Sequence, residues 1–268
     1  MIGRALTIAG SDSGGGAGIQ ADIKTFQELD VFGMSAITAI TAQNTLGVHG
    51  VYPLSTEAIV EQIEAIGTDL GVDAIKTGML FSADIIQAVS ECIIKFKWEN
   101  IIVDPVMIAK GGASLLQDEA VQALKEYLLP LAMVVTPNIP EAEVLTDMSI
   151  HSIDDRVEAA KRLHQLGAKH VVLKGGHGNE EELVDILYDG VNVSFFKGQR
   201  KSTKNTHGTG CTFAAAITAE MAKGQSVKHA VQTAKSFIQA AIEDDLKLGN
   251  GHGPTNHWAY QRRQRGGN

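Results

Sequence analysis

Short apolar runs rich in β-branched residues alternate along this chain with longer amphipathic runs. The short runs predict eight strands: ALTIAG (5–10), AITAITAQN (36–44), AIKTGM (74–79), NIIVDPV (100–106), MVVTPN (133–138), HVVLKG (170–175), LVDILYDG (183–190) and VSFFKG (193–198). The longer runs predict helices near 18–30, 56–70, 82–97, 117–128, 154–167, 212–223 and 226–245. Several strands are apolar at both odd and even positions, the pattern of a sheet covered on both faces. Strand–helix repetition of this kind predicts a three-layer α/β/α sandwich with a mostly parallel central sheet and right-handed crossovers. The last two strands flank Asp189-Gly190 and read as a hairpin near one edge.

Composition narrows the picture. With 268 residues, 44% of them hydrophobic, the chain suits one large α/β domain, expected over 1–260. The polar, glycine-containing end QRRQRGGN (261–268) is expected to be disordered. A net charge of −8 argues against a nucleic-acid partner and means that an anionic substrate must be held by local donors. No apolar run reaches 18 residues and no leader pattern precedes ALTIAG, so neither a membrane span nor export is expected. Two cysteines without pairing signals fit a cytoplasmic location.

Ligands of such sheets gather at the carboxyl ends of the strands. There the chain places GSDSGGGAG (10–18), TAQN (41–44), TGM (77–79), DPVMIAKGG (104–112), TPNIPEAE (136–143) and KGGHG (174–178). The stretch NTHGTGCT (205–212) adds a glycine turn before a helical run. Gly208, Thr209 and Gly210 can aim backbone N–H groups at an anion. Cys211 then sits in the first helical turn, where a lowered thiol pKa is expected. Cys92 instead shares a helical face with Ile85, Val89, Ile93 and Phe96, and reads as core. GSDSGGGAG lacks the dinucleotide and P-loop spacings, so it reads as a flexible loop that lets a small ligand approach the backbone. Asp22 reads equally as a solvated helix carboxylate or a site residue. Asp104 and Glu141 suit Mg²⁺, although Glu141 also suits a helix start. Lys174 is either a strand-end lysine or a phosphate contact. The remaining histidines show no metal spacing.

Taken together, ALTIAGSDSGGGAGIQADIKTF, GVHGVYPL, KTGML, VDPVMIAKGG, TPNIPEAE, KGGHG, NTHGTGCTFAAA and GHGPTNHW make the chain resemble the hydroxymethylpyrimidine and phosphomethylpyrimidine kinases of thiamine synthesis, in the ribokinase superfamily. The resemblance implies a ribokinase-like domain, a homodimer, and Mg-ATP-dependent phosphorylation of a small pyrimidine alcohol and then of its monophosphate. It assigns Gly208, Thr209, Gly210 and Cys211 to the anion hole and catalytic position. Gln43 is assigned to the pyrimidine, and Gly10, Ala17, Asp22, Met79 and Val106 to the substrate pocket. Asn138 and Lys174 fall in the ATP region, and Asp104 and Glu141 in the Mg²⁺ region. A thiolate at Cys211 would accept the hydroxyl proton while the glycine-turn amides hold the phosphate charge. A pyridoxine or pyridoxal kinase and a non-catalytic pyrimidine-binding sensor are the alternatives.

Overall fold

The computed structural model describes residues 1–107, 118–176 and 182–266. Residue 117 of the fourth expected helix, and 108–112 and 177–178 of the strand-end motifs, lie outside them. The strands are β1 (Arg4–Asp12), β2 (Phe32–Asn44), β3 (Gly47–Pro53), β4 (Ala74–Thr77), β5 (Ile101–Val103), β6 (Val134–Val135), β7 (His170–Leu173), β8 (Glu182–Tyr188) and β9 (Val193–Gln199). The helices are α1 (Gly18–Glu28), α2 (Thr56–Asp69), α3 (Ala83–Phe96), α4 (Asp118–Ala123), α5 (Ile139–Thr146), α6 (Ile153–Gln165), α7 (Thr209–Ala222), α8 (Val227–Glu243) and α9 (Ala259–Gln264).

The strands form one sheet in the order β3-β2-β1-β4-β5-β6-β7-β8-β9. Its six central strands, β2 to β7 in that order, pair in parallel. The antiparallel strands lie at the ends, with the expected β8–β9 hairpin at one edge. Strand side chains alternate between two cores, as a period of two requires. Leu6, Ile8, Ile101, Val103, Val135 and Val171 face one core, with Ile59, Ile63, Ile86, Val89 and Leu163 from α2, α3 and α6. Ala5, Ile102, Val134 and Val172 face the other, against Phe26 of α1 and the buried length of α7 and α8. Cys92 lies in the first core, as its helical face predicts. Full burial of side chains such as Ile63 or Phe237 contributes roughly 1.5–3 kcal/mol each. The alanines of α7, all buried, let that helix lie close against the sheet between α1 and α8.

Two elements were not expected, and a third, α5, only as a helix start at Glu141. β3 contains two glycines and a proline in seven residues, so its strand signal is weak; pairing with β2 carries it. α5 has only eight residues and is started by a capping box from Asn138. Residues 261–264 of the tail expected to be disordered belong to the second unexpected element. Residues 259–264 form α9, anchored by Gln261 Nε2 donating to Glu28 O (2.6 Å) and by Arg263 pairing with Glu243 (2.7 Å). Between α8 and α9 the chain crosses the carboxyl edge of the sheet. His252 N donates to Thr45 O (2.7 Å), and His207 N donates to Gly253 O (3.1 Å).

His257 fastens this strap to α7, its Nε2 lying 3.0 Å from Thr212 Oγ1. Burial, helped by Lys24, pushes its pKa down to about 4, so the ring is neutral in the fold. The unfolded chain takes up this proton near pH 6.5 and the folded chain only near 4. Stability is therefore complete above pH 6.5 and declines as pH falls toward 4. Between pH 7.5 and 4.5, denaturant unfolding of the native protein should lose about 2–3 kcal/mol more than that of His257→Gln. Equal pH dependence in the two proteins would contradict this assignment.

Candidate functional site

The strand order reverses at β1, which lies between β2 and β4. The first chain of crossovers leaves to one side and the next to the other, which opens a crevice at the carboxyl end of β1. A cleft of about 650 Å³ occupies this position. Every residue expected at the site lines it except Asp22.

The cleft floor is organised by Asp12, the last residue of β1. Its Oδ1 accepts from Gly14 N (2.8 Å), and its Oδ2 accepts from Gly16 N (3.0 Å) and Ala17 N (2.9 Å). His207 Nε2 lies 2.8 Å from Oδ2. Burial alone would raise this carboxyl, but the hydrogen bonds from His207, Gly14 and Ala17 outweigh it and hold the pKa below the usual range. GSDSGGGAG is thus a tied loop rather than a flexible one. It is also packed hard against the second glycine turn. Gly208 has φ +80°, and a Cβ there would overlap the Gly16 carbonyl oxygen; a Cβ on Gly18, at φ +56°, would overlap the Gly10 carbonyl. Only glycine meets both demands at these two positions.

Gly208 is the N-cap of α7, and no side chain caps the helix. The first-turn amides therefore lack intrahelical acceptors and face the cleft with the positive end of the helix. Beside them, Gly210 lies next to Lys174 Nζ and Asp104 Oδ2. The expected anion hole and the expected phosphate contact are thus brought together.

Cys211 requires a correction. The helix end does not lower its pKa: burial pushes the thiol up to about 11, against the pull of Lys76 and a hydrogen bond from the Gly18 amide. Desolvation of a thiolate outweighs a helix terminus here. At neutral pH the sulfur carries its proton.

Met79 packs over Gly10, and both Met79 and Val106 line the cleft. Gln43 follows an irregularity in the β2–β3 register between Ala42 and Gln43, which turns its side chain into the cleft. Its backbone is anchored to Ser13 on both sides, at 2.8 Å each.

The charged residues form two groups. Asp104 Oδ1 accepts from Lys174 Nζ (3.0 Å) and from Thr136 Oγ1 (3.2 Å). Glu141 Oε2 accepts from Asn138 N (2.8 Å), and Asn138 Oδ1 accepts from Glu141 N (2.9 Å). So the helix-start reading of Glu141 holds, yet the carboxyl also lines the cleft. Its burial, reinforced by Asp104 and opposed by Lys174, pushes it up to about 7. Asp22 lies beneath the cleft surface, fully buried, with Oδ2 accepting from Lys76 Nζ (2.9 Å) and Thr7 Oγ1 (2.6 Å). It is neither solvated nor on the wall; the residue it positions, Lys76, is on the wall. Burial disfavours the Lys76 ammonium, but Asp22, Cys211 and Asp104 outweigh this and its pKa is raised.

Sequence reasoning missed Asp12, His207, Lys76 and the buried pair Lys235–Asp185 (2.6 Å), all of which line the cleft. A lysine inside the fully buried strand AIKT was a readable signal, because such a charge must have a partner.

The family model for phosphomethylpyrimidine kinase matches residues 12–256. The hydroxymethylpyrimidine/phosphomethylpyrimidine kinase of Bacillus subtilis is 60% identical over 97% of both chains. A pyridoxine kinase of the same organism is 49% identical over 97% of this chain and 98% of its own. The structure of the Staphylococcus aureus pyridoxal kinase with AMP-PCP and pyridoxal superposes with a TM-score of 0.91 at 41% identity, over 98% of this chain and 96% of that one. The chain whose cleft joins an open helix end, an ammonium and carboxyl groups with a carboxamide and apolar side chains thus belongs to the phosphomethylpyrimidine kinase family.

Proposed function

We propose that this protein uses Mg-ATP to phosphorylate the hydroxymethyl group of 4-amino-5-hydroxymethyl-2-methylpyrimidine and then the resulting monophosphate, giving the diphosphate for thiamine synthesis. The observation that carries this reading is the meeting, in one cleft, of the uncapped α7 terminus beside Lys174 with the side chains of Gln43, Met79 and Val106. Phosphoryl transfer needs positioning and charge stabilisation more than covalent chemistry. The α7 amides and Lys174 hold the transferring phosphoryl group. The apolar end of the cleft, with Leu183, Phe213, Ile238 and Ile242, suits the nucleotide base. Gln43 offers one acceptor and two donors to the ring edge.

Asp104 and Glu141 fit Mg²⁺. They set two carboxyl groups beside the single ammonium of Lys174, which pairs with Asp104. Among the described residues no three or more His, Cys, Asp or Glu side chains group as a metal site; Mg²⁺ commonly takes one or two carboxylates together with phosphates. When bound, it neutralises charge on the transferred group.

In the ionised fraction that Lys76 favours, Cys211 is the proton acceptor for the attacking hydroxyl. Pyridoxine phosphorylation is the second reading, favoured by the 49% identity to a pyridoxine kinase. Exposed Ile40, Leu46 and Tyr52 on the β2–β3 hairpin support a homodimer. Among the described residues no helix is long and apolar enough to cross a membrane; this and the free cysteines support a cytoplasmic location.

Mass spectrometry with Mg-ATP should show the pyrimidine alcohol gaining one phosphate and then a second. Absence of both products at high enzyme concentration, with pyridoxine phosphorylated instead, would move the second reading to first place.

Replacing Cys211 by Ala should lower kcat by about 10²–10⁴-fold with KM little changed. Alkylation of native Cys211 by iodoacetamide should rise about tenfold per pH unit from 7 to 10, because a thiol near 11 is only about one part in 10⁴ ionised at pH 7. Cys92, buried in the core, should stay unlabelled. A plateau in labelling below pH 8, or normal turnover in Cys211→Ala, would contradict the role.

A further inference from the structure

Gln43 can pair with a substrate edge in either of two senses, and its neighbours discriminate between them. His207 Nε2 lies 2.8 Å from Asp12 Oδ2. A carboxylate oxygen only accepts, so this ring nitrogen carries a hydrogen. The same nitrogen lies 3.4 Å from the Gln43 side-chain amide; with its one hydrogen directed at Asp12 it has no lone pair to accept from Gln43 and offers only a shared N–H.

Thr41 stands on the other flank. Its Oγ1 lies 2.9 Å from the Ser11 carbonyl oxygen and 3.1 Å from the Gln43 amide. The hydroxyl has one hydrogen, and Ser11 O can only accept it. When that hydrogen goes to Ser11 O, Thr41 has lone pairs left for Gln43 and accepts from it. With the amide nitrogen toward His207 and the oxygen toward Thr41, two N–H groups face each other at His207, and Gln43 competes with Ser11 for the one Thr41 hydrogen. A half-turn of the amide repairs both at once; the sense of a carboxamide is decided by its hydrogen bonds. The oxygen then faces the shared His207 N–H, and the nitrogen donates to Thr41.

We infer that the Asp12–His207 pair fixes the sense in which the Gln43 amide faces the cleft, making His207 a positioning residue for acceptor specificity. The inference rests on the pyrimidine reading proposed above. In this sense the amide keeps one lone pair on the His207 side and one N–H on the Thr41 side. An aminopyrimidine edge, an amine donor beside a ring-nitrogen acceptor, matches this with the amine toward His207. The corresponding 4-oxo ring, an acceptor beside an N–H donor, presents the reverse and is rejected. Neither Asp12 nor His207 need touch the substrate. Asp12 is nearly inaccessible, at 3% exposure, and is already saturated by three amides and the imidazole.

The test is kcat/KM for the 4-amino alcohol and its 4-oxo analogue on native enzyme, His207→Leu and His207→Gln. Native enzyme should prefer the amino compound by about 5- to 150-fold, the cost of an unmatched buried polar group. His207→Leu frees the amide to turn, so this ratio should fall about tenfold, through KM rather than kcat. His207→Gln keeps an N–H donor and should restore most of the ratio. If His207→Leu does not fold, as judged by circular dichroism, Thr41→Val frees the opposite flank and should lower the same ratio. An unchanged ratio in the folded variant, or equal loss of both activities through kcat, overturns the inference. If native enzyme phosphorylates neither pyrimidine, the functional reading itself has failed, which is a distinct result.

Discussion

The carboxylate of Asp12 joins segments 195 residues apart in sequence. It draws the amides of Gly14, Gly16 and Ala17 around itself and holds His207 against them. That single group sets the path of the first glycine loop and the entry into α7. The backbone contact between Gly16 and Gly208 leaves no room for a side chain, so a displacement of one loop is transmitted to the other. The open amides of α7 and the amide of Gln43 both take their positions from this junction. The C-terminal strap closes over it, through the backbone pairing of His207 with Gly253 and Thr255.

Beneath the junction lies a second constraint, one of charge. Lys76 and Asp22 are both fully buried and paired. Such a pair is weak evidence for stability, because desolvation offsets much of the Coulomb attraction. Its place next to Cys211 gives it a different meaning. The thiol is buried enough to hold its proton, and Lys76 is the nearest influence that favours losing it. Lys174, Asp104 and Glu141 repeat the pattern at the phosphate end, where two carboxyl groups share one ammonium. Both groups are poised for ligands that bring charge of their own.

The strand–helix alternation was legible because it depends on local periodicity. Both faces of β1, β5 and β7 are apolar and both are covered. The cleft was legible because unusual residues collected at one edge of the sheet. What was hidden depends on tertiary context. Asp12 lies in a polar, glycine-rich stretch where a carboxylate is unremarkable until its amide partners are seen. His207 sits beside a motif in NTHGTGCT but has no spacing signal, since its partner is at the far end of the chain. The Cys211 pKa was misjudged because the helix end was visible in sequence and the burial was not. Asp22 was ambiguous for the same reason. Lys76, in a strand with no exposed position, was the exception that could have been found.

The organising role of Asp12 can be tested without reference to any substrate. Amide hydrogen exchange followed residue by residue in native protein and in Asp12→Ala measures it directly. The account predicts that Gly14, Gly16 and Ala17 lose about tenfold or more of their protection in the variant, each having lost a hydrogen bond to a charged group. Amides of the central strands β1, β4 and β5 should keep theirs. Unchanged protection across residues 14–17 would contradict the claim that this carboxylate holds the site together.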